Sequence, residues 1–103
     1  MTVKNGEQRM KTVMLVEFLG TCGLMLAMNL SKTSTQPAVT LFLLMMLTLW
    51  ISGGHLNPAV TLGIYIERRE YAKNLPVMGA MIFSQVTGAC FAIFLAYMLR
   101  ITI

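Results

Sequence analysis

Residues 52–63 read SGGHLNPAVTLG, and this stretch decides the fold of the chain. Its glycines permit close approach of neighbouring backbone, because glycine carries no Cβ. Asn57 is followed directly by Pro58. Asparagine is a strong N-cap residue, and proline suits the first position of a helix. The stretch therefore predicts a short helix that begins at Pro58 and ends near Ile66.

The predicted short helix is almost wholly apolar and reads AVTLGIYI over residues 59–66. Residues 67–70, ERRE, are all charged, and we expect them to lie in water outside the membrane. A helix of about nine residues is too short to cross a bilayer, which needs about 20. We therefore predict a re-entrant half-helix that enters and leaves the membrane on the same side. Such backbone is tolerated at membrane depth only where protein covers it or it lines a wet cavity.

The composition excludes an ordinary soluble protein. Of the 103 residues, 56% are hydrophobic and 12% are charged, whereas soluble domains carry roughly 25% charged residues. A chain this short cannot bury so much apolar surface in a soluble core. We therefore predict one integral membrane domain surrounded by lipid. The net charge is +4, but aromatic residues do not interleave with the basic ones, so no nucleic-acid partner is expected.

Residues that could carry chemistry are few. The chain has one histidine, no phosphate-binding loop and no pair of carboxylates in a plausible cleft. We therefore expect no enzyme, no catalytic residue, no cofactor and no metal site. Cys22 and Cys90 lie in apolar stretches without metal-ligand spacing, and their packing as small apolar side chains explains them.

Three longer apolar segments complete the predicted fold. Residues 13–30 are long enough to cross a bilayer, residues 36–54 come near that length, and residues 75–99 cross it with tilt. Residues 1–12 form a polar, basic segment ahead of the membrane domain, which takes up residues 13–103. The predicted fold class is all-α, with three transmembrane helices and one re-entrant half-helix.

The basic residues predict the orientation in the membrane. On one side lie Lys4, Arg9, Lys11, Arg68, Arg69 and Lys73, while only Lys32 and Arg100 lie on the other. Loops on the cytoplasmic side carry the excess of lysine and arginine. We therefore predict a multi-pass protein whose N-terminus is inside.

Small residues recur at every fourth position of the third predicted span. Another helix can approach closely along such a face. The pattern predicts a helix-packing surface, which would serve as a docking surface if the chain is a subunit of a larger complex. The stripe consists of Ala80, Ser84, Gly88, Ala92 and Ala96.

The stretch SGGHLNPAVTLG resembles the major intrinsic proteins, the family of aquaporins and glycerol channels. Residues 17–21, EFLGT, resemble the start of that family's first helix, and residues 84–89, SQVTGA, resemble the AQ-x-x-GA of its third. The resemblance runs from about Val13 to Leu99 and corresponds to the N-terminal half of a family member. It implies one half of an inverted repeat, in which two half-helices meet N-terminus to N-terminus, each with an Asn-Pro-Ala.

The resemblance assigns the pore motif to Asn57, Pro58 and Ala59. The side-chain oxygen of an N-cap asparagine accepts from the first helical turn, which leaves its amide N–H₂ pointing outward. That donor can hold the oxygen of a passing water or polyol. The alternative is that Asn57 only caps a packed helix.

The resemblance also implies side chains that brace the re-entrant loop. Glu17 would accept hydrogen bonds from the loop, with Gln85 as a similar brace and His55 as a hydrogen-bonding residue of the loop. The alternative for Glu17 is a position near the membrane interface, where its carboxylate reaches water.

Two functions remain open at this stage. The first is an aquaporin-like half-channel for water or small neutral solutes, which needs a complementary inverted half with a second Asn-Pro-Ala and the family's filter arginine. The alternative is a non-conducting accessory subunit of a larger membrane complex. An inert fragment is a third possibility. The half-channel and the accessory subunit both imply other membrane protein chains as partners.

Overall fold

The computed structural model describes residues 3–102, with side chains for residues 6–100. This part of the chain forms four helices: α1 (Val3–Leu30), α2 (Thr35–Ser52), α3 (Pro58–Arg68) and α4 (Tyr71–Thr102). α1 packs against both α2 and α4, and α3 packs against α4. α1 is therefore the central element of the described bundle.

Three of the described helices are long and apolar enough to cross a membrane. The segments with that character are Gly6–Leu30, Thr35–Ser52 and Tyr71–Arg100. The 11 residues of α3 are too few to do so. The described chain thus has the predicted all-α fold, with three spans and one short helix between the second and the third.

Two helices begin earlier than the apolar pattern indicates. α1 begins at Val3, so the described part of the polar segment 1–12 continues the first span as a helical extension, in which residues 6–9, 11 and 12 are exposed. α4 begins at Tyr71 and contains Pro76 in its interior. A proline removes one backbone hydrogen bond, a loss that membrane helices tolerate because neighbouring groups satisfy the freed carbonyl.

α3 begins at the middle of the bundle and ends at one edge of it. The backbone N–H groups of His55 and Leu56, which precede α3, both donate to the carboxylate of Glu17. At 1.5 Å per residue, about 20 Å of α1 lies on either side of Glu17. α3 itself is about 16 Å long, which is about half the thickness of a bilayer core. The geometry is that of a re-entrant half-helix.

A tyrosine pair closes the turn between α3 and α4. The Tyr65 hydroxyl donates to the carbonyl of Tyr71 at 2.8 Å, and the Tyr71 hydroxyl donates to the carbonyl of Ile66 at 3.3 Å. Arg69 ends α3 in the left-handed conformation, with φ of 60°. The C-terminal end of the half-helix is thereby fixed beside the start of α4.

The small-residue stripe of α4 lies against the chain's own helices. A Cβ added at Gly88 would overlap the carbonyl oxygen of Phe18 in α1. Ser84, Ala92 and Ala96 are buried, and Ala80 is half-buried. The stripe is therefore a packing face within this chain. At Gly88 the close approach that the small residue permits is occupied by α1, which leaves no room there for a partner helix.

We expect Gly88→Ala to destabilise the protein by about 1–3 kcal/mol, because the added methyl group forces α1 away from α4. Unfolding in detergent, followed by circular dichroism, measures the change. Gly79→Ala is the matched control on the same helix, since a Cβ at Gly79 meets nothing within 4 Å. The packing account is contradicted if the two variants unfold at the same temperature.

Candidate functional site

Asn57 caps the buried start of the half-helix. Its backbone is extended, with φ of −156° and ψ of 123°, and its Oδ1 accepts the N–H of Ala59 at 2.8 Å. Pro58 occupies the first helical position, where a missing N–H costs nothing. The local sequence Asn-Pro-Ala therefore starts α3 as the N-cap rule predicts.

The amide nitrogen of Asn57 is free for a ligand. The cap uses Oδ1, and Nδ2 donates to no atom of the described residues. Asn57 is also exposed, although it lies at the depth of Glu17 in the middle of the bundle. The first turn of any helix carries unpaired N–H groups and partial positive charge. The site thus offers an amide donor and the positive end of a helix at one exposed point.

Glu17 holds the loop that leads to Asn57. Its side chain is 0% exposed, and each carboxylate oxygen accepts two hydrogen bonds. Oε1 accepts from the Ser52 hydroxyl at 2.6 Å and from the backbone N–H of His55 at 3.2 Å. Oε2 accepts from the backbone N–H of Leu56 and from Nε2 of Gln85, both at 2.8 Å. Buried carboxylates need such donors, because desolvation is otherwise costly.

Thr61 links the loop to α4. Its hydroxyl accepts a hydrogen bond from Nε2 of Gln85 at 2.8 Å and lies 2.9 Å from Nδ1 of His55. Gln85 is 1% exposed and therefore bridges Glu17 and Thr61 in a closed environment. The carboxylate of Glu17 can only accept, so it fixes which end of the Gln85 amide is the nitrogen.

Tight packing supports these hydrogen bonds. Gly53 and Gly54 have φ of 93° and 64°, a region that favours glycine, and a Cβ at Gly54 would lie 3.2 Å from the carbonyl oxygen of Met45. Leu56 is 2% exposed and fills the space above Gly20, where an added Cβ would overlap its side chain. The loop is thus locked by both its backbone and one apolar side chain.

The structure brings together Glu17, His55 and Gln85, the three residues singled out as loop braces. The alternative position for Glu17, near the interface and in reach of water, is wrong, since its side chain is fully buried. Pro58 and Ala59 follow Asn57 in the first turn of α3. The stripe on α4 meets α1 at Gly88, where an added Cβ would overlap Phe18.

Sequence reasoning missed Ser52 and Thr61. Both hydroxyls take part in the cluster around Glu17. A signal was present for Thr61, which lies one helical turn after Asn57 and is the one residue with an aliphatic hydroxyl in the run AVTLGIYI. A hydroxyl in an apolar half-helix has to find a partner when it is buried.

We expect Glu17→Gln to destabilise the loop strongly, because the amide N–H₂ would face donors where the carboxylate accepts. Each buried donor left without an acceptor costs about 1–3 kcal/mol. Amide hydrogen exchange at His55 and Leu56 should accelerate, and unfolding in detergent should come earlier. Glu7→Gln, an exposed position on the same helix, is the control. Unchanged exchange in Glu17→Gln would contradict the assignment.

Thr61→Val should weaken the link between the loop and α4 by about 1–3 kcal/mol, since Gln85 loses an acceptor. Thr61→Ser keeps the hydroxyl and should restore most of the stability. The control is Thr87→Val, because the Thr87 hydroxyl donates only to carbonyls of its own helix. Equal stability of the valine and serine variants at position 61 would show that the hydroxyl is not used.

Comparison with known proteins agrees with this geometry. The family model for the major intrinsic protein matches residues 2–102. No curated protein and no solved structure matches the chain. The family is one of channels for small solutes, not of enzymes. The match covers nearly the whole chain, and with its three membrane-spanning helices this multi-pass membrane protein belongs to the major intrinsic protein family.

Proposed function

We propose that this chain forms one half of a pore for water or small neutral solutes. The observation that carries the proposal is Asn57, whose amide donor and helix N-terminus are exposed at the middle of the bundle. A polar group in that position is tolerated where it lines a water-filled cavity. The channel character of the family supports the same function.

The chemistry of the site favours neutral solutes that carry oxygen. An amide N–H₂ donates hydrogen bonds and does not accept them, so it binds the lone pairs of a water or an alcohol. The N-terminal end of α3 adds a partial positive charge, which also attracts the lone pairs of the solute oxygen. Such an end repels cations and opposes proton transfer along a file of water.

A complete pore needs a second, inverted half. Two halves in the same orientation insert their half-helices from the same side, so that their N-termini cannot meet. The exposed side of Asn57 therefore faces an inverted half with its own Asn-Pro-Ala, on whichever polypeptide carries it. The six basic residues at the inner ends of the helices support an N-terminus on the inside.

The buried cluster has a supporting role in this proposal. Glu17, Gln85 and Thr61 hold the residues immediately before and within α3 at fixed distances. Hydrogen bonds to the backbone and to the side chains of the loop hold Asn57 in place, and none of them uses its Nδ2. The donor is thus preorganised for the solute, which reduces the ordering that binding requires.

A structural subunit is the second candidate function. α2 favours it, because only 6% of its spanning window is buried within the described chain. Trp50 and Leu47 are 92% and 72% exposed. Apolar surface of this extent contacts either lipid or neighbouring helices, and a non-conducting role in a larger assembly would use it for the latter.

Asn57→Asp separates the two functions. Aspartate is an equally good N-cap, so α3 should still form, but the amide donor is replaced by a negative charge. If the chain lines a pore, solute permeability should fall at least about tenfold, as expected when a donor contact worth about 1.4 kcal/mol is lost. The assay is stopped-flow light scattering on vesicles that contain the assembly extracted from its own membranes in mild detergent.

Asn29→Asp is the matched control, because its side chain bonds only a carbonyl within α1. Permeability should be unchanged in this variant. Loss of permeability at Asn57 alone supports the pore. The pore hypothesis is wrong if Asn57→Asp has the same flux as the parent protein, or if the parent shows no flux above that of lipid alone. Either result favours the structural role.

A further inference from the structure

The four described helices enclose an open groove at their inner edge. Its volume is about 840 Å³, which is within the range of ligand-binding clefts. The extension of α1, the end of α2, the end of α3 and the start of α4 all contribute to its walls. The groove is separate from Asn57, which does not line it.

Basic side chains from three different helices line this groove. Arg9 comes from α1, Arg68 from α3 and Lys73 from α4, and the acidic residue among the lining side chains is Glu7. Lys73 is already paired with Glu70 at 3.5 Å. Arg9 and Arg68 have no ion-pair partner among the described residues. Two guanidinium groups are therefore available to an anion in the groove.

The height of these cations matches the level of lipid headgroups. At 1.5 Å per residue, Arg9 lies about 12 Å along α1 from Glu17, and Arg68 lies about 10 Å along α3 from Thr61. Lys73 lies about 18 Å from Gln85 along α4. Glu17, Thr61 and Gln85 mark the middle of the bundle, and the hydrocarbon half-thickness of a bilayer is about 15 Å.

The groove has apolar walls as well as charged ones, besides the polar side chains of Ser52, His55 and Asn74. Val13, Leu49, Val77 and Met81 line it together with the basic residues. A free inorganic anion has no apolar part that could contact these walls. A phospholipid has both a phosphate and, next to it, a glycerol and acyl chains that can contact them. Trp50 stands at the same edge and is 92% exposed, as is typical of aromatic residues at the membrane interface.

We propose that this groove binds one anionic phospholipid, with its phosphate on Arg9 and Arg68 and its glycerol and upper acyl chain along the apolar walls. Guanidinium groups pair with phosphate through two parallel hydrogen bonds, which gives geometric as well as electrostatic preference. Basic clefts between membrane helices are suited to such headgroups. The site does not depend on conduction and would serve a pore or a structural subunit equally.

Native mass spectrometry of the full assembly tests the proposal. The protein is titrated with phosphatidylglycerol and, separately, with phosphatidylcholine of the same acyl chains. One phosphatidylglycerol should be retained in preference to phosphatidylcholine. The double variant Arg9→Gln/Arg68→Gln should reduce that preference about thirtyfold, because each cation near a membrane surface contributes about fivefold to anionic lipid binding.

The matched control is Lys11→Gln/Arg69→Gln. It removes the same charge at the same edge of the molecule, but neither residue lines the groove. It should keep the preference for phosphatidylglycerol. An equal loss in both double variants would mean diffuse surface charge and would overturn the proposal. So would displacement of the lipid by excess inorganic phosphate, which would mean a simple anion site.

Folding of the variants is checked by circular dichroism, since Arg68 also lies at the C-terminal end of α3, where a cation is favourable. If the double variant does not fold, Arg9→Gln alone decides the matter, because Arg9 is exposed and lies in the helical extension of α1. That variant should reduce the preference about fivefold. An unchanged preference in Arg9→Gln would overturn the proposal.

Discussion

The carboxylate of Glu17 is the interaction on which the rest of the structure depends. A chain that breaks its helix at membrane depth exposes backbone N–H groups where no water is available to them, and each unsatisfied group costs several kcal/mol. The loop before α3 contains such groups at His55 and Leu56, and both donate to Glu17. One buried side chain on α1 therefore makes it possible for the re-entrant loop to exist at the depth where it is found.

The same contact dictates the packing of the other helices. A side chain as short as glutamate reaches the loop only if the loop lies close to α1, and Gly20 permits this by leaving room for Leu56. The amide of Gln85 reaches Glu17 only if α4 also lies close, and Gly88 permits that approach beside Phe18. The hydrogen bonds to Glu17 and the close packing at Gly20 and Gly88 therefore depend on each other, because the donors reach the carboxylate only when the helices lie close together.

Much of this could be predicted from the sequence, since it rests on local rules. Asn57 and Pro58 fixed the start of α3, and hydropathy identified the three long helices. The start of α4 was missed because the predicted span began where the uncharged run begins, whereas α4 starts at Tyr71 and includes Lys73 and Asn74. The role of Thr61 was missed because a helical hydroxyl usually bonds a carbonyl four residues earlier. The Thr61 hydroxyl does this with Asn57, but it also accepts from Gln85, which no local pattern predicts. The small-residue periodicity on α4 identified a packing face, but no local pattern states which helix covers it.

The distribution of satisfied and unsatisfied groups separates folding from function. The four donors to Glu17 are satisfied within the described chain, so these contacts position the half-helix without any further protein, although Oε1 of Gln85 and the Thr21 hydroxyl have no partner there. The exposed amide N–H₂ of Asn57 is different, because it donates to no atom of the described residues. Exposed polar groups at this depth are stable only against water or protein. The feature that supports the proposed pore is therefore one that needs water or further protein beside it.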